Sequence, residues 1–227
     1  MKTNCFECVH LKKCLNGINE KDIQNISKTK IQLNFSKGEL ICKRGSPITH
    51  MYFLQSGFVK WHIDGGKNRK NIIFKVVKDG HTIGLPSVFD DRLHHFSTTA
   101  IEDSVVCMID IHDFMDYFKK NPPFAEHVLN VLSTSANGLF DGMYSFATKN
   151  VNGRVADLLL LLYKTIYTSN KFVLTLSRQE MAEIISISKD NLIHTLSKFS
   201  KEGIINAKGK NIEILNIEKL LKISELG

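Results

Sequence analysis

Three cysteines stand within the first fourteen residues, Cys5, Cys8 and Cys14, spaced C-x2-C-x5-C, and a fourth, Cys107, follows 93 residues later inside the apolar run from Val105 to Ile109. Thiolates gathered this closely are ligands for soft metals and iron–sulfur groups. Two metal readings stand side by side. A cubane iron–sulfur cluster takes four thiolates and needs Cys107 to return to the N-terminal leader, which would tie a flexible arm to a rigid strand. A zinc ion needs only the local set Cys5, Cys8, His10 and Cys14. A third reading leaves the thiols free of metal, for redox chemistry of their own. Cys42 reads as a small buried residue in a strand. The histidines His50, His62, His81, His94, His95 and His112 raise a haem reading, although a histidine in a loop is more often simply solvated. The chain holds no G-x-S-x-G elbow and no P-loop, so it is read as a non-enzyme.

The bulk properties bound these readings. The chain has 227 residues and 43% apolar content, enough for one large domain or two ordinary ones with real cores. No run approaches the ~20 apolar residues of a membrane span, and no apolar leader follows Met1, so a cytoplasmic protein that does not enter membranes is expected. In that compartment thiols stay reduced, which disfavours a disulfide framework. The net charge is +7; residues 147–227 hold 12 Lys/Arg against 8 Asp/Glu, so four of the seven excess charges lie in the last third. That balance suits a polyanionic partner without proving one.

These residues have to be positioned by the elements around them. Residues 1–20 read as a cysteine-bearing arm, with one or two helical turns following at Asp22–Ser27. From Ile31 to about Ile111, short apolar runs alternate with glycines: Ile31–Phe35, Leu40–Cys42, Tyr52–Leu54, Phe58–Ile63, Ile72–Val77, Ser97–Ile101 and Val105–Ile109. That pattern predicts an antiparallel sandwich or jelly roll, with Gly65-Gly66 in a hairpin turn. A short helix at Ile111–Lys119 ends at Pro122-Pro123, and a long one follows. On it Leu129, Leu132, Ala136, Leu139, Met143 and Phe146 recur at spacings of three and four, a seam fit to pair with a second copy of the chain or to pack within its own domain. Asn150 to Gly153 reads as a hinge.

The last third reads as a compact helical domain. A strongly apolar helix spans Arg154–Tyr167, and Phe172–Leu176 reads as a strand. Ser177-Arg178-Gln179-Glu180 is a capping box that starts a helix through Ile185. A tight turn at Ser186-Ile187 leads to Ser188, which caps a second helix ending at Gly203. A small hairpin follows around Lys208-Gly209-Lys210. Two capped helices and a hairpin in this order describe a winged helix-turn-helix. Ser188, Lys189, Asp190, Asn191 and His194 lie at the N-terminal end of the second helix, where the motif meets base edges. Lys198, Lys201, Lys208 and Lys210 are placed to reach the DNA backbone, and Ser177 and Arg178 are read as DNA-binding with them.

With these residues in view, the chain resembles the CRP/FNR superfamily of bacterial transcription regulators across its full length. The resemblance rests on Phe35 to Ile41 (FSKGELI), Gly45, Tyr52 to Val59 (YFLQSGFV), Gly80 to Gly84, Asn150 to Ala156 and Leu174 to Ile185. It implies an α+β chain: an N-terminal cupin-like β-roll of the cyclic-nucleotide-binding-domain fold over 21–121, a long dimerisation helix over 122–149, and a C-terminal winged helix-turn-helix over 150–227. Within the superfamily the FNR branch carries C-x2-C-x5-C near its start and a later E-x4-C, matched here by Glu102 to Cys107. That branch implies a [4Fe-4S] cluster on Cys5, Cys8, Cys14 and Cys107, responsive to oxygen or nitric oxide. It also implies a homodimer on double-stranded DNA in contact with RNA polymerase. Two departures limit the likeness. Asp190 followed by Ile193-His194 replaces the branch's Glu followed by Ser-Arg, so its target sequence does not carry over. Gly84-Leu85-Pro86 and the arginine-free stretch His94-His95-Phe96-Ser97 replace the ribose and phosphate contacts of the cyclic-nucleotide branch.

Overall fold

The computed structural model describes residues 4–66 and 71–227. The chain divides into two compact units, one of residues up to 63 with 76–137, the other of residues 64–75 with 138–227. Among the described residues no helix is long and apolar enough to cross a membrane.

The first unit is a roll of two antiparallel four-stranded sheets. Its strands are β1 (Ile31–Phe35), β2 (Leu40–Cys42), β3 (His50–Ser56), β4 (Phe58–Ile63), β5 (Ile72–Lys78, of which 76–78 fall in this unit), β6 (His81–Ile83), β7 (Ser97–Ala100) and β8 (Ser104–Asp110). One sheet runs β1-β8-β3-β6 and the other β2-β7-β4-β5. The glycine-punctuated runs therefore fold as the sandwich the sequence predicts. Gly66 takes φ +68, but the rest of the expected Gly65-Gly66 hairpin loop, 67–70, lies outside the described residues. Met51, Tyr52, Phe53 and Leu54 are all buried, so β3 is covered on both faces.

The outer cover of β3 and β8 is helical. It combines the N-terminal segment, α2 (Glu20–Thr29), α4 (Ile111–Lys120) and the first turns of α5 (Pro122–Thr148). Ile23 and Ile26 of α2, Phe114 and Tyr117 of α4, and Phe124 and Val128 of α5 meet Met51, Phe53 and Ile109 in one core. The leader belongs to this core. Cys5 is 5% exposed, and Leu15 and Ile18 are buried with it. The sequence reading of a loose arm is thus corrected. Its apolar residues are spaced to face the sheet, and the expected 20/21 boundary falls inside α2, which Asn19 caps by accepting from the Asp22 N–H.

In the second unit α6 (Val151–Leu161) runs into a π-helical turn at Leu162–Ile166. It packs on α8 (Lys189–Lys201) and α9 (Ile217–Leu226); α8 also carries α7 (Arg178–Ile184) and the first strand of a three-stranded sheet in the order β10 (Ile205–Lys208), β11 (Asn211–Ile214) and β9 (Lys171–Val173). The short elements β6 and α3 (Leu85–Val88) and the terminal α9 were not legible in the sequence pattern. The expected hinge at Asn150–Gly153 falls at the break between α5 and α6. Asn150 caps α6 through the Asn152 and Gly153 amides, and a methyl group on Gly153 would stand 2.8 Å from the Gly227 Cα. Here glycine serves the close packing of α6 against α9.

Candidate metal centre and nucleic-acid interface

Local hydrogen bonds shape the leader before any ligand is considered. Asn4 caps a 3-10 turn at Cys5–Glu7 by accepting from the Phe6 N–H, and the Cys5 N–H donates to Ser27 Oγ at 3.1 Å. The Cys8 carbonyl accepts from Leu11, and the one-turn helix α1 (Leu11–Cys14) ends on the third cysteine. The fourth comes from the sheet. Cys107 pairs with Gln32 on β1 and Phe53 on β3, and its thiol donates to Gln55 Oε1 at 3.5 Å. Cys5, Cys8, Cys14 and Cys107 together line one cavity, with about 430 Å³ free of protein atoms including its mouth. Leu11, Leu15, Ile26, Phe53, Leu54 and Ile109 supply its apolar wall, and Lys30 its buried cation.

Electrostatics tie the four sulfurs together. Burial pushes the Cys14 thiol up to about 12, with Cys8, Cys107 and Cys5 adding to the shift and Lys13 opposing it. Burial also raises Cys107; Lys30 offsets part of that rise, while Cys5 and Cys8 add to it. Without a bound cation the Cys14 and Cys107 thiols hold their protons at neutral pH, so a metal or cluster entering the cavity must displace them.

The donor set fits a group larger than one ion. Among the described residues no three of these sulfurs lie within 4.8 Å of one another. Tetrahedral zinc would draw four sulfurs to about 3.8 Å apart, from Zn–S bonds of ~2.3 Å. His10 also lines this cavity, and its Nε2 pairs with Asp79 Oδ2 at 2.9 Å, which leaves Nδ1 as the ring atom it could offer to a local zinc site. Four convergent thiols in an apolar cavity match a cubane's needs.

The cavity adjoins the start of the long helix. The backbone of Gly17 meets that of Pro123 and Phe124 so closely that an added Cβ would lie 2.5 Å from the Phe124 nitrogen. His127 Nε2 donates to the Lys13 carbonyl at 3.1 Å, next to Cys14. Asn121 Oδ1 accepts from both the backbone and the side chain of Asn19, and Asn121 Nδ2 donates to Asp22.

On that helix Leu129, Leu139 and Met143 of the expected seam are exposed; Met143 is 66% exposed. Leu132, Ala136 and Phe146 are half-buried, and Leu132 rests on the core of its own unit. Phe140 and Tyr144, which the seam omitted, are exposed beside it.

The helix-turn-helix is built as its caps require. Ser177 and Glu180 complete a capping box on α7, and Ser188 accepts from the Asn191 N–H to start α8. Met181, Ala182 and Ile185 face Leu192, Leu196 and Phe199 in the buried interior. Ser188, Lys189, Asp190, Asn191, His194 and Lys198 are left exposed along α8, with Lys208 and Lys210 exposed at the β10–β11 turn. Two of the residues read as DNA-binding also have internal tasks. Ser177 serves the cap, and Arg178 Nη2 donates to the Gly209 carbonyl at 2.8 Å, fastening the wing to α7. A cleft beside α8, lined by Asn150, Val151, Asn152 and Thr195 with Asn191, His194 and Lys198, escaped the sequence reading because its two walls are about forty residues apart.

The comparisons with known proteins agree with this architecture. Residues 32–121 match the cyclic nucleotide-binding domain and residues 153–223 the Crp-like helix-turn-helix domain. The chain belongs to the CRP/FNR superfamily. It is 23% identical over 228 residues to the fumarate and nitrate reduction regulatory protein of Vibrio cholerae, covering 97% of this chain and 90% of that one. It is 24% identical to a CRP-like cAMP-activated global transcriptional regulator of Mycobacterium tuberculosis, covering 91% and 93%. Among solved structures, FixK2 from Bradyrhizobium japonicum superposes with a TM-score of 0.79 at 19% identity, covering 86% of this chain and 97% of that one. A Crp/Fnr-family regulator from Eubacterium rectale gives 0.73 at 19%, covering 92% and 96%. This CRP/FNR chain is a transcription regulator whose DNA-binding module is the helix-turn-helix described above.

Proposed function

We propose that this regulator binds DNA as a homodimer under the control of a [4Fe-4S] cluster held by Cys5, Cys8, Cys14 and Cys107. The observation that carries the reading is the convergence of four thiols, three from the leader and one from β8, on one apolar cavity. A cluster there supplies reactivity toward oxygen or nitric oxide. The chain's own residues supply the coupling. Lys13, Gly17 and Asn19 follow the cysteines directly and touch His127, Pro123, Phe124 and Asn121 around the first turns of α5. A change in how the leader seats on the sheet is thereby felt at that helix. The exposed Leu129, Leu139, Phe140, Met143 and Tyr144 offer an uncharged face, since α5 has no charged residue between Glu126 and Asp141. Such a face suits a second copy of the same helix.

For DNA, Lys189, Asp190, Asn191 and His194 would read bases, and Lys198, Lys208 and Lys210 would neutralise phosphates. The cyclic-nucleotide alternative is disfavoured in this roll. His94, in the stretch where a phosphate cation would be needed, is buried with its pKa lowered by desolvation, so it offers no charge. The test is operator binding by protein reconstituted without oxygen, measured before and after exposure to air. Binding that weakens on exposure, together with loss of the visible absorption, supports the reading. Equal binding in both states rejects it.

A further inference from the structure

The leader is held unevenly along its length. At its start the Cys5 N–H donates to Ser27 Oγ, and beyond Cys14 the side chains of Leu15 and Ile18 are buried in the core. Between the second and third cysteines apolar burial contributes little. Val9 is 89% exposed, Lys12 and Lys13 are exposed, and Leu11 is half-buried. That stretch meets the turn between β5 and β6 instead. His10 Nε2 pairs with Asp79 Oδ2, and Lys13 Nζ donates to the Asp79 carbonyl at 3.2 Å. Gly80 leaves the room for both. Its φ of +77 lies in the left-handed region, and a Cβ there would stand 2.8 Å from His10 Nδ1 and 2.7 Å from Lys13 Cδ. The turn is fixed in its turn to the wall of the cysteine cavity, because the Gly80 N–H donates to the carbonyl of Leu54, which lines it, at 2.8 Å. Lys13 carries the contact onward, since its own carbonyl accepts from His127 on α5.

We propose that Asp79 and Gly80 are positioning residues of the cysteine cavity: they form a dock that holds Val9–Lys13 against the sheet before the cavity is filled, so that Cys8 and Cys14 stand ready for an inorganic occupant. This builds on the cluster-holding reading above. A segment ordered in advance adds no ordering cost when the group binds, and a segment that stays docked slows the group's escape.

The test follows amide hydrogen exchange in full-length, metal-free, reduced protein at Leu11, Lys13, Cys14 and Leu15, whose N–H groups bond to carbonyls of the leader. Asp79→Ala and His10→Ala should each speed this exchange by about fivefold, and the double variant should be no faster than either, because one pair is lost in all three. Asp79→Glu, which keeps the carboxylate, should stay near wild type. Gly80→Ala should speed the same amides, whereas Gly45→Ala should not, since Gly45 is also left-handed (φ +83) but an added Cβ meets open space. Amides of β3 and β8 should keep their wild-type rates in Asp79→Ala. In protein reconstituted without oxygen, Asp79→Ala should yield its iron to a ferrous chelator several-fold faster than wild type, read as loss of the visible absorption. Unchanged leader exchange in Asp79→Ala, additive effects in the double variant, Asp79→Glu as fast as Asp79→Ala, or an equal speeding of β3 and β8 overturns the assignment. Wild-type protein that takes up no iron or sulfide rejects the cluster-holding reading instead, and the exchange rates still decide the dock.

Discussion

The cysteine cavity and the helix-turn-helix are built on opposite principles. The reader face of α8 is made from neighbours in sequence: a serine cap, a turn, a capped helix and a two-strand wing, all within residues 177–214. The cavity joins a leader of fourteen residues to a strand 93 residues away, and only the tertiary fold brings them together. A module made of local contacts keeps its shape whatever happens elsewhere. A site assembled from two remote segments responds when the fit between them changes. That division suits a regulator, in which one part must stay constant and another must be able to move.

The comparison can be broken most severely at its remote member. Cys107→Ser should abolish iron and sulfide uptake while leaving the α8 module folded, as read by metal analysis beside circular dichroism. Normal uptake would show that the strand ligand is dispensable. Next is the uncharged face of α5. Met143→Glu places a charge on it in each copy and should weaken self-association by about 3 kcal/mol, seen by sedimentation with the unfolding midpoint little changed. Leu132→Glu should instead destabilise the unit as well, because Leu132 rests on its core.

The second unit is sharpened through Asp157. It accepts from Lys149 Nζ at 2.8 Å, Ser145 at 2.7 Å and Ser224, joining the end of α5 to α6 and α9. Asp157→Ala leaves a partly buried ammonium without its carboxylate and should cost about 2 kcal/mol in urea unfolding. At the wing, Lys208→Ala should lower the salt slope of DNA binding by about 1, with similar losses for specific and nonspecific sites.

The pH response separates the regions as well. The Cys14 thiol is raised in the folded metal-free protein from 9.0 to about 12, so the fold retains a proton that the unfolded chain releases. That contribution to stability is complete below pH 9 and is lost as pH climbs through about 12. Metal uptake has the opposite sign. It expels thiol protons, so it should strengthen with rising pH across that window.

What could be read from the sequence follows the same division. The strands from Ile31 to Ile109 other than β6, the caps at Ser177 and Ser188 and the wing at Gly209 were legible because alternation, capping residues and turn residues act over a few positions. The four cysteines were legible as a set through the family likeness, since residue types and spacing survive without coordinates. The buried seat of the leader was not, because Leu15 and Ile18 look ordinary until α2 and α4 are in place. Arg178 illustrates a second task that the sequence does not show. A basic residue at the start of a reading motif suggests DNA, yet the Gly209 carbonyl is its partner in the folded domain.

Iron and acid-labile sulfide content after purification without oxygen tests the central claim most directly. Four of each per chain, falling to background in Cys107→Ser, is the result this account predicts. Stoichiometric zinc in their place, or iron and sulfide retained in full without the thiol of Cys107, would contradict it.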